Sequence, residues 1–77
     1  MNKARRKWIE EVMEALEQAK EDIESINSEE EEAYNNLPDN LNDSEMANAM
    51  YDNMDSLSQA ADDLQGVIDQ LQEIVER

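Results

Sequence analysis

Carboxylates are the residues of this chain with the most chemistry to offer, since 21 of its 77 residues are Asp or Glu. One set recurs at helical spacing in the first half and another recurs every seven residues in the second. We call the following seven the acidic face: Glu10, Glu14, Glu17, Glu21, Asp55, Asp62 and Asp69. Rows of carboxylates on rigid helices attract cationic surfaces and resemble the spaced phosphates of a duplex. They predict docking on a basic protein, against the plainer alternative that the charge only keeps the chain soluble.

Catalytic and metal chemistry have little support in the composition. The chain contains neither His nor Cys, which removes the usual zinc ligands and the Ser-His and Cys-His nucleophile pairs. Residues 39–45 offer oxygen ligands for calcium, but they lack the EF-hand spacing and its central Gly, and turn formation or helix capping explains each of them. We therefore expect no enzyme, no cofactor and no metal site. The absence of Cys leaves the redox compartment open.

The distribution of charge limits the class of partner. Net charge is −15, and five of the six basic residues lie near the two ends of the chain: Lys3, Arg5, Arg6, Lys7 and Arg77. Such a chain repels nucleic acid and anionic lipid, so we expect a basic or apolar partner surface and no direct nucleic-acid or membrane binding. The basic start runs into an amphipathic segment rather than an apolar one. Neither a signal peptide nor a membrane span is expected, which predicts a cytoplasmic protein.

The elements that would position the carboxylates are two amphipathic helices. One Gly, one Pro and no Phe, with abundant Glu, Ala, Leu and Met, favour helix over strand. In the first half, apolar residues alternate in steps of three and four, with Glu30 as the exception. This predicted contact stripe is Ile9, Val12, Leu16, Ala19, Ile23, Ile26, Ala33 and Leu37. It predicts a helix over about 4–36.

Pro38 and the turn formers after it predict a loop over 37–43. Asp43 or Ser44 then caps a second helix over about 44–76. The contact stripe of this helix is uninterrupted: Ala47, Met50, Met54, Leu57, Ala61, Leu64, Ile68, Leu71 and Val75. A short loop between two helices of this length forces them to be antiparallel neighbours. The sequence thus predicts a single all-α domain, a coiled-coil-like antiparallel two-helix hairpin.

A second apolar row has no place in a two-helix hairpin. We call it the self-association strip, and its members are Trp8, Met13, Met46, Ala60, Val67 and Ile74. Because a hairpin has no third layer to cover this strip, we expect homodimerisation into a four-helix bundle, with a foreign partner as the alternative. Trp8 is expected to cover Val75 at the open end of the hairpin, and a binding anchor is the alternative.

Several segments resemble a known group of proteins. They are 5–12 (RRKWIEEV), 29–41 (EEEEAYNNLPDNL), 44–45 and 62–64, and the Tyr-Asn-Asn-Leu-Pro junction is the most distinctive. The chain resembles small uncharacterised acidic helical-hairpin proteins of phages and mobile elements of Gram-positive bacteria. That group brings no assigned activity and no functional residues. The resemblance implies a host-cell setting, in which small acidic phage proteins often occlude host proteins, including defence nucleases.

Together these features predict a non-enzymatic, acidic protein-binding module. Its expected role is that of a phage-type inhibitor or nucleic-acid mimic that covers the basic surface of a host or defence nucleic-acid-binding protein. The alternative is a structural hairpin for oligomerisation or assembly, whose charge only serves solubility. Salt dependence separates the two, because charge attraction is screened and apolar contact is not.

Overall fold

A computed structural model describes all 77 residues as two long helices packed against each other. Helix α1 spans Lys3–Asn35 and helix α2 spans Glu45–Glu76, with a short 3₁₀ helix at Asp39–Leu41 in the connection. The Cα atoms occupy a volume of 60 × 14 × 13 Å, as expected of a slender hairpin. The prediction of an all-helical two-helix hairpin is confirmed. Neither helix has the length and apolar character needed to cross a membrane.

Each helix begins at a side-chain cap. The Asn2 side chain accepts a hydrogen bond of 2.8 Å from the backbone N–H of Arg5 at the start of α1. At the start of α2, Ser44 Oγ accepts a bond of 3.1 Å from the backbone N–H of Ala47 and donates one of 2.7 Å to the carbonyl of Leu41. Ser44 rather than Asp43 is therefore the cap, and the same hydroxyl joins α2 to the turn that precedes it.

We expect Ser44→Ala to lower the free energy of unfolding by about 1 kcal/mol, because the N–H of Ala47 would lose its acceptor and the carbonyl of Leu41 would keep only the backbone N–H of Ser44. Thermal unfolding followed by circular dichroism measures this change. Ser58→Ala is the matched control, since Ser58 is exposed in the middle of α2 and caps nothing. Equal stability of the two variants would show that the cap contributes nothing.

The contact stripe of α2 is the predicted one. Ala47, Ala61 and Ile68, which lie at heptad positions of that stripe, are the three buried residues of the chain. Its other members are all half-buried. Small side chains at Ala47 and Ala61 let the two helices approach closely, while Ile68 supplies the largest buried side chain. Gly66 lies in open space on the outer side, and α2 continues through it.

The contact stripe of α1 is rotated from the predicted one. Five predicted members (Ile9, Leu16, Ala19, Ile23 and Leu37) are half-buried, but Val12, Ile26 and Ala33 are exposed. The residues that replace them against α2 are also half-buried: Arg6, Met13, Lys20, Asn27 and Tyr34. Glu30, the exception in the predicted stripe, is half-buried at its own position. The prediction that Val12, Ile26 and Ala33 face α2 is wrong.

The cross-helix contacts give the physical reason for the rotation. Lys20 Nζ donates to Gln65 Oε1 at 2.8 Å, and Asn53 Nδ2 donates to Glu30 Oε2 at 2.8 Å. Tyr34 packs against Tyr51 with ring centroids 6.2 Å apart. Long polar side chains can bury their stems along a helix contact while their polar ends reach partners at its edge. Apolar periodicity does not register this kind of contact.

Candidate functional site

Two contacts identify the two sides of the hairpin. The pair formed by Lys20 and Gln65 lies at one edge of the helix contact, and the pair formed by Glu30 and Asn53 lies at the other. Residues at heptad spacing from these pairs share the same side, because a seven-residue step returns a packed helix to the same face. The position of every exposed side chain follows from these two reference edges.

The carboxylates of α1 lie on the side of Lys20. Glu17 and Glu24 flank Lys20 on the side away from Leu16 and Ile23, and Glu10 and Glu31 are placed one heptad further along. Glu14 and Glu21 follow on the adjoining outer row. The four α1 residues predicted for the acidic face therefore share one side of the hairpin, and sequence spacing adds Glu24 and Glu31 to them.

The carboxylates of α2 lie on that same side. Gln65 accepts a hydrogen bond from Lys20 and donates one of 3.0 Å to Asp69 Oδ1. Asp69 therefore lies next to Gln65, further from the helix contact. Asp62 and Asp55 precede Asp69 by one and two heptads. All seven residues of the acidic face are exposed, and the fold brings the rows from both helices onto one surface.

Little cationic charge opposes this surface. Lys20 is the only basic residue between Trp8 and Glu76, and its ammonium group contacts the Gln65 amide. The remaining basic residues all lie at one end of the hairpin, since Arg6 Nη1 donates to the carbonyl of Val75 at 3.4 Å and so brings the two chain ends together. Charge is therefore unevenly distributed along the hairpin, whose open end is basic and whose turn end is acidic.

The opposite side of the hairpin is largely apolar. Ile26 lines the same open depression as Asn53, which places it on the side of the Glu30–Asn53 pair. Residues at heptad spacing from Ile26 or Asn53 lie on this same side. Trp8 and Ala15 also lie there, because each is about one helical turn from Val12. We call the following set the apolar face: Trp8, Val12, Ala15, Ala19, Ile26, Ala33, Met46, Ala60, Val67 and Ile74.

The apolar face corrects the predicted self-association strip at one residue and extends it at others. Met13 is half-buried in the row that contacts α2, so it does not belong to the exposed strip. Trp8, Met46 and Val67 are exposed as predicted, and Ala60 and Ile74 are half-buried beside them. Sequence periodicity missed the contribution of α1 to this face because it assigned that apolar row to the helix contact.

Trp8 does not take the position expected for it. Its side chain is 69% exposed, and it lines an apolar hollow on α1 with Met1, Arg5, Ile9 and Val12. The contact with Val75 comes instead from the guanidinium group of Arg6. The indole is therefore a projecting side chain at the open end of the apolar face.

No three acidic side chains converge closely enough to hold a metal ion. In residues 39–45, Ser44 acts as the α2 cap and Asp39–Leu41 forms the 3₁₀ turn. The two surface depressions are open ones, and neither encloses a carboxylate in an apolar cleft of the kind that shifts an acid toward catalysis. Comparisons with family models, curated proteins and solved structures found no match to this chain.

Proposed function

We propose that this chain is a non-enzymatic protein-binding module of the cytoplasm that docks its acidic face on a basic surface of a nucleic-acid-binding protein. One observation carries the proposal: seven exposed carboxylates from two helices lie on one side of the hairpin, and Lys20, the one basic residue between them along α1, has its ammonium group on the Gln65 amide. In a phage or mobile-element setting, such a protein acts as an inhibitor that occludes a host or defence protein.

The spacing of the carboxylates supports docking on a basic surface of a partner protein. Mimicry of a nucleic acid is the more specific form of this proposal. Along α1 the carboxylates recur every three or four residues, which corresponds to about 5 Å of helix axis. One strand of a DNA duplex places a phosphate about every 3.4 Å of axis. The acidic face therefore approaches the charge density of one strand, and it would compete for the Lys and Arg side chains that contact phosphates.

The apolar face supports self-association as the second part of the proposal. Trp8, Ile26 and Met46 are each more than half exposed, and they share one side of the molecule with seven further apolar residues. Packing of that side against a second hairpin would form a four-helix bundle and remove the apolar face from water. The acidic face of each copy would then point outwards and remain free to bind.

The alternative function is structural assembly, in which the hairpin only oligomerises. The extent of the apolar face is the observation that favours it, because apolar contact alone would then account for all binding. Under this alternative, the carboxylates limit the size of the assembly and keep it soluble without touching a partner.

Reversal of charge on the acidic face tests the proposed docking. We expect Glu10→Lys/Glu17→Lys/Asp62→Lys to weaken displacement of fluorescent duplex DNA from basic DNA-binding domains by about tenfold, because three attractive contacts become repulsive. The loss should be large at about 50 mM salt and small at about 300 mM, where these exposed charges are screened. A panel of such domains is titrated with the wild type and with the variant, and helicity is monitored for both.

The matched control is Glu11→Lys/Glu32→Lys/Asp63→Lys. It changes net charge by the same amount, but its three residues lie outside the acidic face. Displacement by this control should stay close to that of the wild type, apart from the general effect of net charge. Equal losses in both triple variants, or wild-type displacement that salt leaves unchanged, would reject the acidic-face proposal and favour structural assembly.

A further inference from the structure

The apolar face carries a projection and a depression at opposite ends. Trp8 projects at the open end, with its side chain 69% exposed. Toward the turn, an open depression of about 520 Å³ lies between the helices, lined by Ile26, Glu29, Glu30, Asn53, Ser56 and Leu57. Both features lie on the side of the Glu30–Asn53 pair. About 20 residues of α1 separate them, which corresponds to roughly 30 Å along the helix.

From this arrangement we propose that a second copy of the chain covers the apolar face in an antiparallel, two-fold symmetric dimer, in which each Trp8 enters the depression of the other copy. The inference deepens the proposed self-association and does not depend on what the acidic face binds. In a two-fold interface the same patch serves both copies, so a projection on one patch must meet a depression of that patch. The two-fold axis then lies midway between them, close to Ala19.

The composition of the face fits that geometry. Ala15 and Ala19 occupy the centre of the face on α1, where the two copies of α1 cross and approach most closely. Ile74 lies near Trp8 along the hairpin, because its neighbour Val75 is level with Arg6, and so it also faces the depression end of the second copy. On α1, the larger apolar side chains therefore lie toward the ends of the interface, and the small ones lie at its centre.

Charge decides between the antiparallel and parallel orientations. The open end of the hairpin carries five of the six basic residues, and the turn end carries the Glu29–Glu32 run with Asp39, Asp43 and Glu45. An antiparallel dimer places each basic end beside an acidic end, whereas a parallel dimer places two acidic turns together. Arg5, one turn before Trp8, would lie near Glu29 at the edge of the depression of the second copy.

The size of the face also matches that of a stable dimer. The hairpin is about 60 Å long and about 14 Å wide between Cα atoms. Coverage of one such face on each copy removes on the order of 1,600 Å² of total surface, which is the size of a standard specific interface. In the depression the indole ring would pack on Ile26 and Leu57 and be covered by the second copy, and the Glu and Asn oxygens there would provide acceptors for the indole N–H.

Engineered disulfides test the orientation directly, because the chain has no Cys of its own. Ala19→Cys lies beside the two-fold axis, so oxidation should join two copies covalently, since a disulfide needs Cα atoms within about 7 Å. Ala33→Cys lies far from the axis and should remain unlinked. Covalent dimer from Ala33→Cys in a yield equal to that from Ala19→Cys, or no covalent dimer from Ala19→Cys, would overturn the antiparallel dimer. Non-reducing electrophoresis measures both yields, and circular dichroism verifies the fold.

Light scattering over a concentration series tests the Trp8 contact. The wild type should have twice the monomer mass of 8.9 kDa. We expect Trp8→Ala to raise the dissociation constant about 100-fold. Tyr51→Ala is the matched control, since it removes another exposed aromatic side chain from the opposite side and should leave the dimer intact. A monomeric wild type would reject the dimer without affecting the acidic-face proposal, which the displacement assay tests separately.

Discussion

Ile68→Ala is expected to lower the free energy of unfolding by about 3 kcal/mol, the largest single-residue effect that we expect in this chain. Ile68 is only 4% exposed, and it is the largest of the three buried side chains. Its truncation would remove buried apolar atoms and leave a cavity that two rigid helices can close only in part. A hairpin of this size has a small margin of stability, so the variant should be largely unfolded at 37 °C. Urea unfolding followed by circular dichroism measures the change.

Ile26→Ala is the matched control, because it makes the same substitution at an exposed position of the apolar face. Ile26 is 52% exposed, so at low protein concentration its truncation should cost no more than about 0.5 kcal/mol. If two copies associate as we propose, the cost should rise with protein concentration, because the side chain would then line the interface. Equal losses from the two Ile substitutions at low concentration would mean that α1 packs in the register predicted from its apolar pattern.

The sequence predicted α2 more accurately than α1, and particular residues explain the difference. In α2 every contact position from Ala47 to Val75 is apolar, so a single register satisfies the pattern. In α1 two registers share Ile9, Leu16 and Ile23 and differ only in the positions between them. The predicted register adds the aliphatic residues Val12, Ala19, Ile26 and Ala33. The other register adds Met13, Lys20, Asn27 and Tyr34, which are long or polar. Apolar periodicity selects the first of these, whereas the structure adopts the second.

A signal for the observed register was present in the sequence, but it was not apolar. Two residues that only the observed register places against α2 have complementary residues at the matching levels of that helix: Lys20 with Gln65 and Tyr34 with Tyr51. Such pairs become visible only after the helices have been aligned in depth, and that alignment depends on where the turn folds the chain. The packing register of α1 therefore depends on the geometry of the turn, and residue spacing within α1 alone does not predict it.

The rotation of α1 from its predicted register also affects how well the acidic face and the apolar face could be predicted. Because the acidic face depends on heptad spacing of carboxylates on outer positions, a small rotation of α1 leaves its members together. The apolar face changes more, since rotation exposes Val12 and Ile26 and withdraws Met13. The depression that we assign to Trp8 of a second copy arises from side chains of both helices. No pattern within one helix predicts it.

Asn27→Leu is expected to raise the free energy of unfolding by about 2 kcal/mol. Asn27 lies half-buried in the contact between the helices, and its Oδ1 atom is buried without a hydrogen-bond partner. A buried polar atom without a partner costs about 1–3 kcal/mol, and an apolar side chain of similar size removes that cost and adds apolar burial. Thermal and urea unfolding measure the gain. Ser25→Leu is the control, since it adds the same side chain at an exposed position of α1 and should leave stability nearly unchanged.

The sign of the Asn27 effect distinguishes two roles for a polar residue in a helix contact. In coiled coils a buried Asn lowers stability but selects one register and one state of association. If Asn27 has that role, Asn27→Leu should be more stable and also less specific, and the variant should form species larger than the dimer in light scattering. A loss of stability in Asn27→Leu would show instead that the amide makes favourable contacts, and that the rotated register of α1 depends on them as well as on the contact of Lys20 with Gln65.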